Sequence, residues 1–264
     1  ELQHLIRVLE RAGELNRAVE QLPDDEEIAE RRKQGLGLTR PELAVMLAYS
    51  KIVLNEQLIA SDVPEDPYLS QEIERYFPGP ARKRFARAIP RHRLRREIIA
   101  TAITNSLINR MGPVFAIRAR EDTGASAAAI ARAYSIAREV FAVRELWQRI
   151  EALDNRVAAS TQYALMYDIS HLLRHATYWF LAYRRRDLDI EASVRRYAPQ
   201  IAELYRELAG GLGESEAAQH AARRRKLIEA GVPEDLSNRL SMLEPLHAAL
   251  DLVEVATARR VPVM

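Results

Sequence analysis

Residues 126–153 read SAAAIARAYSIAREVFAVRELWQRIEAL. Ile130, Tyr134, Ala137 and Phe141 fall at i, i+4, i+7 and i+11, the spacing that lines one face of an α-helix. Val143, Trp147 and Ile150 continue at nearly the same phase, and no Gly or Pro interrupts 127–153. The stretch therefore reads as one long helix, or as two joined at a bend. The next long segment puts Leu165, Ile169, Leu172, Ala176, Trp179 and Tyr183 on one face. It ends at Arg184-Arg185-Arg186, a charge sign that suits a helix C-terminus.

The same periodicity extends in both directions. Asp24 with Glu27 forms a capping-box start, and Gly35 suits the position just past that helix's end. Thr39-Arg40-Pro41-Glu42 is a second capping box, with proline where its missing N–H does least harm. The helix it opens is apolar on most sides (Leu43, Met46, Leu47, Ile52, Val53, Leu54), which predicts deep burial. Asp66-Pro67 repeats the cap-then-proline pattern before a helix that Pro78-Gly79-Pro80 stops. A helix from about Pro90 to Met111 ends at Gly112-Pro113. Past residue 186 shorter helices are separated by Gly210-Gly211-Leu212-Gly213, Gly231-Val232-Pro233 and Glu244-Pro245. Strand-like alternation is absent. The class is all-α, a multi-helix bundle or an array of antiparallel helices with no sheet.

Composition narrows the function. The 264 residues carry 39 Lys+Arg against 37 Asp+Glu, a formal charge of +2. That balance argues against a nucleic-acid binder, which needs a basic excess or face. The absence of cysteine excludes disulfides, thiolate metal sites and a cysteine nucleophile. Apolar runs such as Leu43 to Tyr49 are too short to cross a bilayer. With no signal peptide in view, a cytoplasmic address is expected. The apolar stripe Leu2, Leu5, Ile6, Leu9 begins at once, without a cap, which reads as a cut from a longer polypeptide.

Candidate chemistry is sparse. No Gly is followed by Lys, so there is no P-loop. Gly35-Leu36-Gly37 approaches a dinucleotide fingerprint, but no strand precedes it and Arg40 stands where the third Gly belongs, so a helix-to-helix turn is expected. His171 and His175, four apart beside Asp168, have a spacing that can place two imidazoles on one metal. No Glu stands between them in the zincin manner and Arg174 would repel a cation, so half-buried helical histidines are the stronger reading. The basic runs Arg91 to Arg96 and Arg223 to Lys226 are read as solvated faces. Asn105 and Asn109 share a face with Leu94 and Ile98, away from the stripe Ile99, Ile103, Leu107. A hydrogen bond to a neighbouring helix is expected there ahead of a ligand contact. No catalytic, cofactor-binding or metal-ligating residue is assigned.

Three stretches carry a family resemblance: Gly37-Leu38-Thr39-Arg40-Pro41-Glu42-Leu43-Ala44-Val45 continuing to Ile52; His92 to Thr101 with Asn105, Asn109 and Gly112-Pro113; and Ala133-Tyr134 through Ala137-Arg138-Glu139-Val140-Phe141 to Glu151-Ala152-Leu153-Asp154-Asn155. Ala230 to Leu236 and Ala249 to Val255 also fit, while about 156 to 230 matches more loosely. The chain resembles the helical C-terminal region of the large bacterial NAD-specific glutamate dehydrogenases. The resemblance implies a parent that oxidises L-glutamate to 2-oxoglutarate and ammonia with NAD, and that assembles as a homo-oligomer. It places the catalytic and nucleotide-binding domains before this region. Such chemistry needs a lysine of shifted pKa in a glycine-rich pocket. Lys33, Lys51, Lys83 and Lys226 are the only lysines and none has that setting, so NAD is expected for the parent and no cofactor for this segment.

The expectation is thus a non-catalytic helical module serving interdomain packing, assembly or regulation, with the catalytic domain of the same polypeptide as its partner. Residues 1–155 would form one helical subdomain bearing the family-like motifs and 156–264 a second, truncated one. Neither nucleic acid nor membrane is expected as a partner. A stand-alone helical scaffold that binds a protein is the alternative. The uncapped N-terminal stripe and the tail Val261-Pro262-Val263-Met264 are expected to leave apolar surface that self-association would cover.

Overall fold

The computed structural model describes residues 1–184 and 188–262. Among them are fourteen α-helices and no strand, the all-α class that the periodicity demands. The chain forms two compact units, Glu1–Ala131 and Arg132–Met264, with the division inside one helix. None of the described helices is long and apolar enough to cross a membrane.

The first unit holds α1 (Leu2–Arg11), α2 (Asp25–Lys33), α3 (Arg40–Ile59), α4 (Gln71–Tyr76), α5 (Gly79–Arg84), α6 (Arg95–Met111) and α7 (Phe115–Thr123). Both caps form, although at Asp24 only one half of the expected box is made, Glu27 pairing with Arg31 instead of reaching back. Asp24 Oδ1 accepts from Glu27 N at 2.8 Å, and Glu42 Oε2 accepts from Thr39 N at 2.6 Å. Gly112, at φ +88°, ends α6. Pro78-Gly79-Pro80 stops α4 but also opens α5, because Pro80 falls in the first turn, where a missing donor costs nothing.

Two expectations about burial fail in this unit. α3 packs on α6 and buries a single i+4 ridge, Met46, Ser50, Leu54 and Leu58, while Leu43 and Ile52 are exposed. Ile52 lies roughly 180° around the helix from the middle of that ridge, on the face turned away from α6, and Leu43 stands in the first turn, ahead of the ridge. The N-terminal stripe is covered, not exposed. Leu5, Ile6 and Leu9 are buried in a cluster with Leu15, Leu22, Met46 and Val114.

Residues 126–153 form two helices, α8 (Ala127–Val140) and α9 (Val143–Glu151), joined at Ala142 in the left-handed conformation, φ +49°. The two stripes were not in phase. At 100° per residue Ile150 lies roughly 200° from Ile130 around a continuous helix. The break turns the chain at Ala142, and Phe141 before it and Val143, Leu146 and Ile150 after it are all buried.

The second unit continues with α10 (Ala159–Tyr183), α11 (Ile190–Gly211), α12 (Glu214–Glu229), α13 (Glu234–Ser241) and α14 (Ala249–Arg259). α10 buries Leu165, Ile169, Leu172, Ala176 and Trp179 as expected, but Tyr183 is 71% exposed at the last turn. Arg185, Arg186, Val263 and Met264, assigned to a helix end and an apolar tail, lie outside the described residues. α11 is not short. Its 22 residues run through the exposed Pro199 and end at Gly211. It packs on α14, α12 packs on α13, and α10 packs on α9 and on a 3-10 turn at Pro245–Ala248.

Candidate functional site

A well-formed concavity lies within the second unit. It is a cleft of about 720 Å³ walled by the α8–α9 corner, α11, α12 and α13, within the size range of small-molecule sites. Ala198, Ile201, Ala202 and Tyr205 line it from α11. Their i, i+3, i+4, i+7 spacing puts all four on one helical face. Phe141 and Met242 add apolar wall, and His220, Asn238, Arg206 and Arg239 add polar groups.

Two polar atoms in that wall are unusual. Tyr205 Oη and His220 Nε2 are both buried, and neither has a hydrogen-bond partner among the described residues. Buried polar atoms without partners are rare and call for a reason. Burial pushes the Tyr205 phenol well above the ordinary tyrosine range, against the opposing pull of Arg239, so it remains a proton donor. The Arg239 guanidinium stands 5.6 Å from the Tyr205 ring centroid and donates to Glu145 Oε1 at 2.8 Å. Glu139 accepts from Arg138 and Arg144, each at 2.9 Å. Arg206 donates from Nε to Ala202 O at 3.4 Å and meets no carboxylate among the described residues. The charges around the cleft are otherwise paired, so Arg206 gives it a positive balance.

The residues singled out in sequence are placed differently. His171 and His175 are exposed on α10, not half-buried. His171 meets Tyr167 edge-on at 4.4 Å between centroids, while His175 stacks on His247 at 5.2 Å and 23°. Asp168 pairs with Arg223 of α12. Burial nevertheless pushes its carboxyl up, with Arg223 pulling the other way. Among the described residues no three His, Asp or Glu side chains converge in a group that could hold a metal ion.

The basic runs are not merely solvated faces. Arg96 donates to the carbonyls of Ile59 and Ser61 at 2.6 and 3.0 Å, and Arg95 to that of Pro64 at 3.0 Å. They close the end of α3, where carbonyls lack helical partners, and both also pair with Glu65. Arg223 and Arg224 are likewise tied, Arg224 to Asn238 and Glu234. Asn109 is exposed, Asn105 is half-buried, and neither amide has a hydrogen bond among the described residues. The expected interhelical bond is absent because this face of α6 is only partly covered, as the exposed Leu94 beside it shows.

Gly35-Leu36-Gly37 is a helix-to-helix turn. Leu36 N donates to Arg31 O at 2.8 Å and Gly35 N to Arg32 O at 3.1 Å, the paired bonds of a Schellman motif. The turn borders a cleft of about 310 Å³ with Arg31 and Arg32. Two of its N–H groups are spent on the helix end, and Arg31 is held by Glu27 and Glu42. These residues do not fit a dinucleotide, whose pyrophosphate needs free N–H groups at a helix start.

Against this geometry, the family described as "Glutamate dehydrogenase, C-terminal" matches residues 35–264. The chain belongs to that family. Among curated proteins it is similar to NAD-specific glutamate dehydrogenases. It is 42% identical to that of Halomonas elongata, over 96% of this chain and 16% of the relative. It is 43% identical to that of Pseudomonas aeruginosa, over 97% and 16%. The Mycobacterium tuberculosis protein is 34% identical, over 90% and 15%. The chain spans about one sixth of the length of the relatives it matches. In this glutamate dehydrogenase C-terminal fold Lys33, Lys83 and Lys226 are exposed and Lys51 is half-buried.

Sequence reasoning missed Tyr205, His220, Arg206 and Arg239. The one signal available was Tyr205, a hydroxyl placed on the small-residue face of α11. The others come from three helices and follow no spacing rule.

Proposed function

We propose that the chain is a non-catalytic helical module of a large NAD-dependent glutamate dehydrogenase, serving interdomain packing, assembly or regulation in the cytoplasm. Its partner is the catalytic domain of the same polypeptide, within a homo-oligomer. The parent reaction is oxidation of L-glutamate to 2-oxoglutarate and ammonia, with NAD as hydride acceptor. What carries the reading is the family match over residues 35–264, together with the name shared by the relatives. A lysine base must be desolvated to act near neutral pH, and the lysines of this chain are exposed or half-exposed. Calorimetric titration of the chain with NAD, and separately with L-glutamate, at millimolar concentration tests it. No saturable heat is expected from either. Saturable binding of NAD overturns the reading.

A further inference from the structure

We propose that the cleft between α11, α12 and α13 binds a small organic carboxylate, its apolar body against Ile201, Phe141 and Met242 and its carboxylate met by Tyr205, His220 and Arg206. The parent activity does not enter into this, since every residue involved lies in the second unit. Three observations converge. The cavity is large enough for a ligand and mainly apolar in its walls, so it favours a body with a hydrocarbon face. Two hydrogen-bonding atoms on residues that line it, Tyr205 Oη and His220 Nε2, are buried without a partner among the described residues. A folded chain keeps such atoms at a cost unless something else satisfies them.

The third observation is charge. Glu139 and Arg239, which also border the cleft, are each neutralised by partners, Glu139 by Arg138 and Arg144 and Arg239 by Glu145. Of these charged groups the exposed Arg206 alone lacks a counter-ion among the described residues, so an anion completes the site. The buried phenol donates a hydrogen bond, and a carboxylate, which only accepts, is its complement. A cationic or purely hydrocarbon ligand would leave either the guanidinium or the phenol unmatched.

Phenylacetate combines the two required features and serves as the probe. The chain is titrated calorimetrically with phenylacetate, with its neutral amide and with acetate. Saturable binding of phenylacetate is expected. Phenylacetamide should bind at least about tenfold weaker, since a hydrogen bond to a charged group is worth that factor, and acetate at least about tenfold weaker, since it lacks the apolar body. Tyr205→Phe removes a hydroxyl that has no partner among the described residues, so the variant should fold as the unaltered chain does and weaken phenylacetate by about tenfold. Arg206→Gln should erase the preference for the acid over the amide. The Nε2 nitrogen resonance of His220 should move as phenylacetate saturates. No saturable heat up to about 10 mM phenylacetate overturns the proposal. So does equal affinity for acid and amide, or an affinity and a His220 resonance that neither variant nor ligand changes.

Discussion

His247 is half-buried on its 3-10 turn, and its surroundings set how it titrates. Burial comes first in holding the imidazole below its ordinary 6.5, followed by His175 stacked on it; Glu244 opposes them and His171 adds a smaller push downward. The sign of the effect on stability follows. Above 6.5 the ring is neutral folded and unfolded, and contributes no pH dependence. As the pH falls below 6.5 the unfolded chain takes up the proton first, so the folded state loses stability until the lower folded pKa is passed. The denaturation midpoint should therefore drop as the pH falls through about 6.5, and His247→Gln should flatten that part of the profile. An unchanged acid slope in the variant would remove His247 from the account. At this scale the sequence was a poor guide. It drew attention to His171 and His175 through their spacing, but the residue that stacks on His175 comes from 72 positions later in the numbering. It likewise suggested a buried role for Asn105, which has no bond to lose in the structure.

Between elements, the best-defined tie runs from α11 to α14. Glu254 of α14 accepts from Arg196 at 2.8 and 3.0 Å and from Arg184 at 3.4 Å, and Tyr197 donates its hydroxyl proton to the same carboxylate. Tyr197 is fully buried, so its O–H has no water to turn to. Glu254→Ala should lower stability by about 1–3 kcal/mol, the cost of an unsatisfied buried donor. The exposed share of the Arg196 pair would add little. Urea denaturation checks this, and a change within error would show that the phenol finds another acceptor. Elements were largely legible in advance where local chemistry decides them. The caps at Asp24 and Thr39 and the stop at Gly112 each depend on a few neighbouring residues. The break at Ala142 is marked in the sequence only by a phase jump, with no Gly or Pro, and a reading that joins the two stripes at one phase misses it. Left-handed alanine is strained by about 1–2 kcal/mol, and the burial of Val143, Leu146 and Ile150 beyond it offsets that strain. The cleft was not legible at all, since its polar atoms come from helices whose mutual packing no local pattern states.

For the molecule as a whole, the question is where its apolar surface goes. Read as sequence, Leu2, Leu5, Ile6 and Leu9 look like a surface awaiting a second chain. The structure gives them a destination inside the first unit, where Leu5 and Ile6 are 0% exposed against Leu15, Leu22, Met46 and Val114. The two readings differ in what a substitution does. If the stripe is an association surface, Leu5→Ala should lower the sedimentation coefficient at high concentration and leave the unfolding midpoint nearly intact. If it is core, the same change leaves a cavity and costs about 2–5 kcal/mol, the range for a buried leucine, with sedimentation unaltered wherever the chain remains folded. We expect the second outcome. Leu2 supplies the control, because it is only partly buried at the edge of the same cluster. Leu2→Gln should cost much less than Leu5→Ala if burial sets the penalty, since the loss scales with apolar area removed from water. Equal costs at the two positions, or a sedimentation change in either variant with the fold intact, would return α1 to the surface. Assembly, where it occurs, must then use other residues than Leu5, Ile6 and Leu9, because side chains already packed within the unit have no apolar area left to offer.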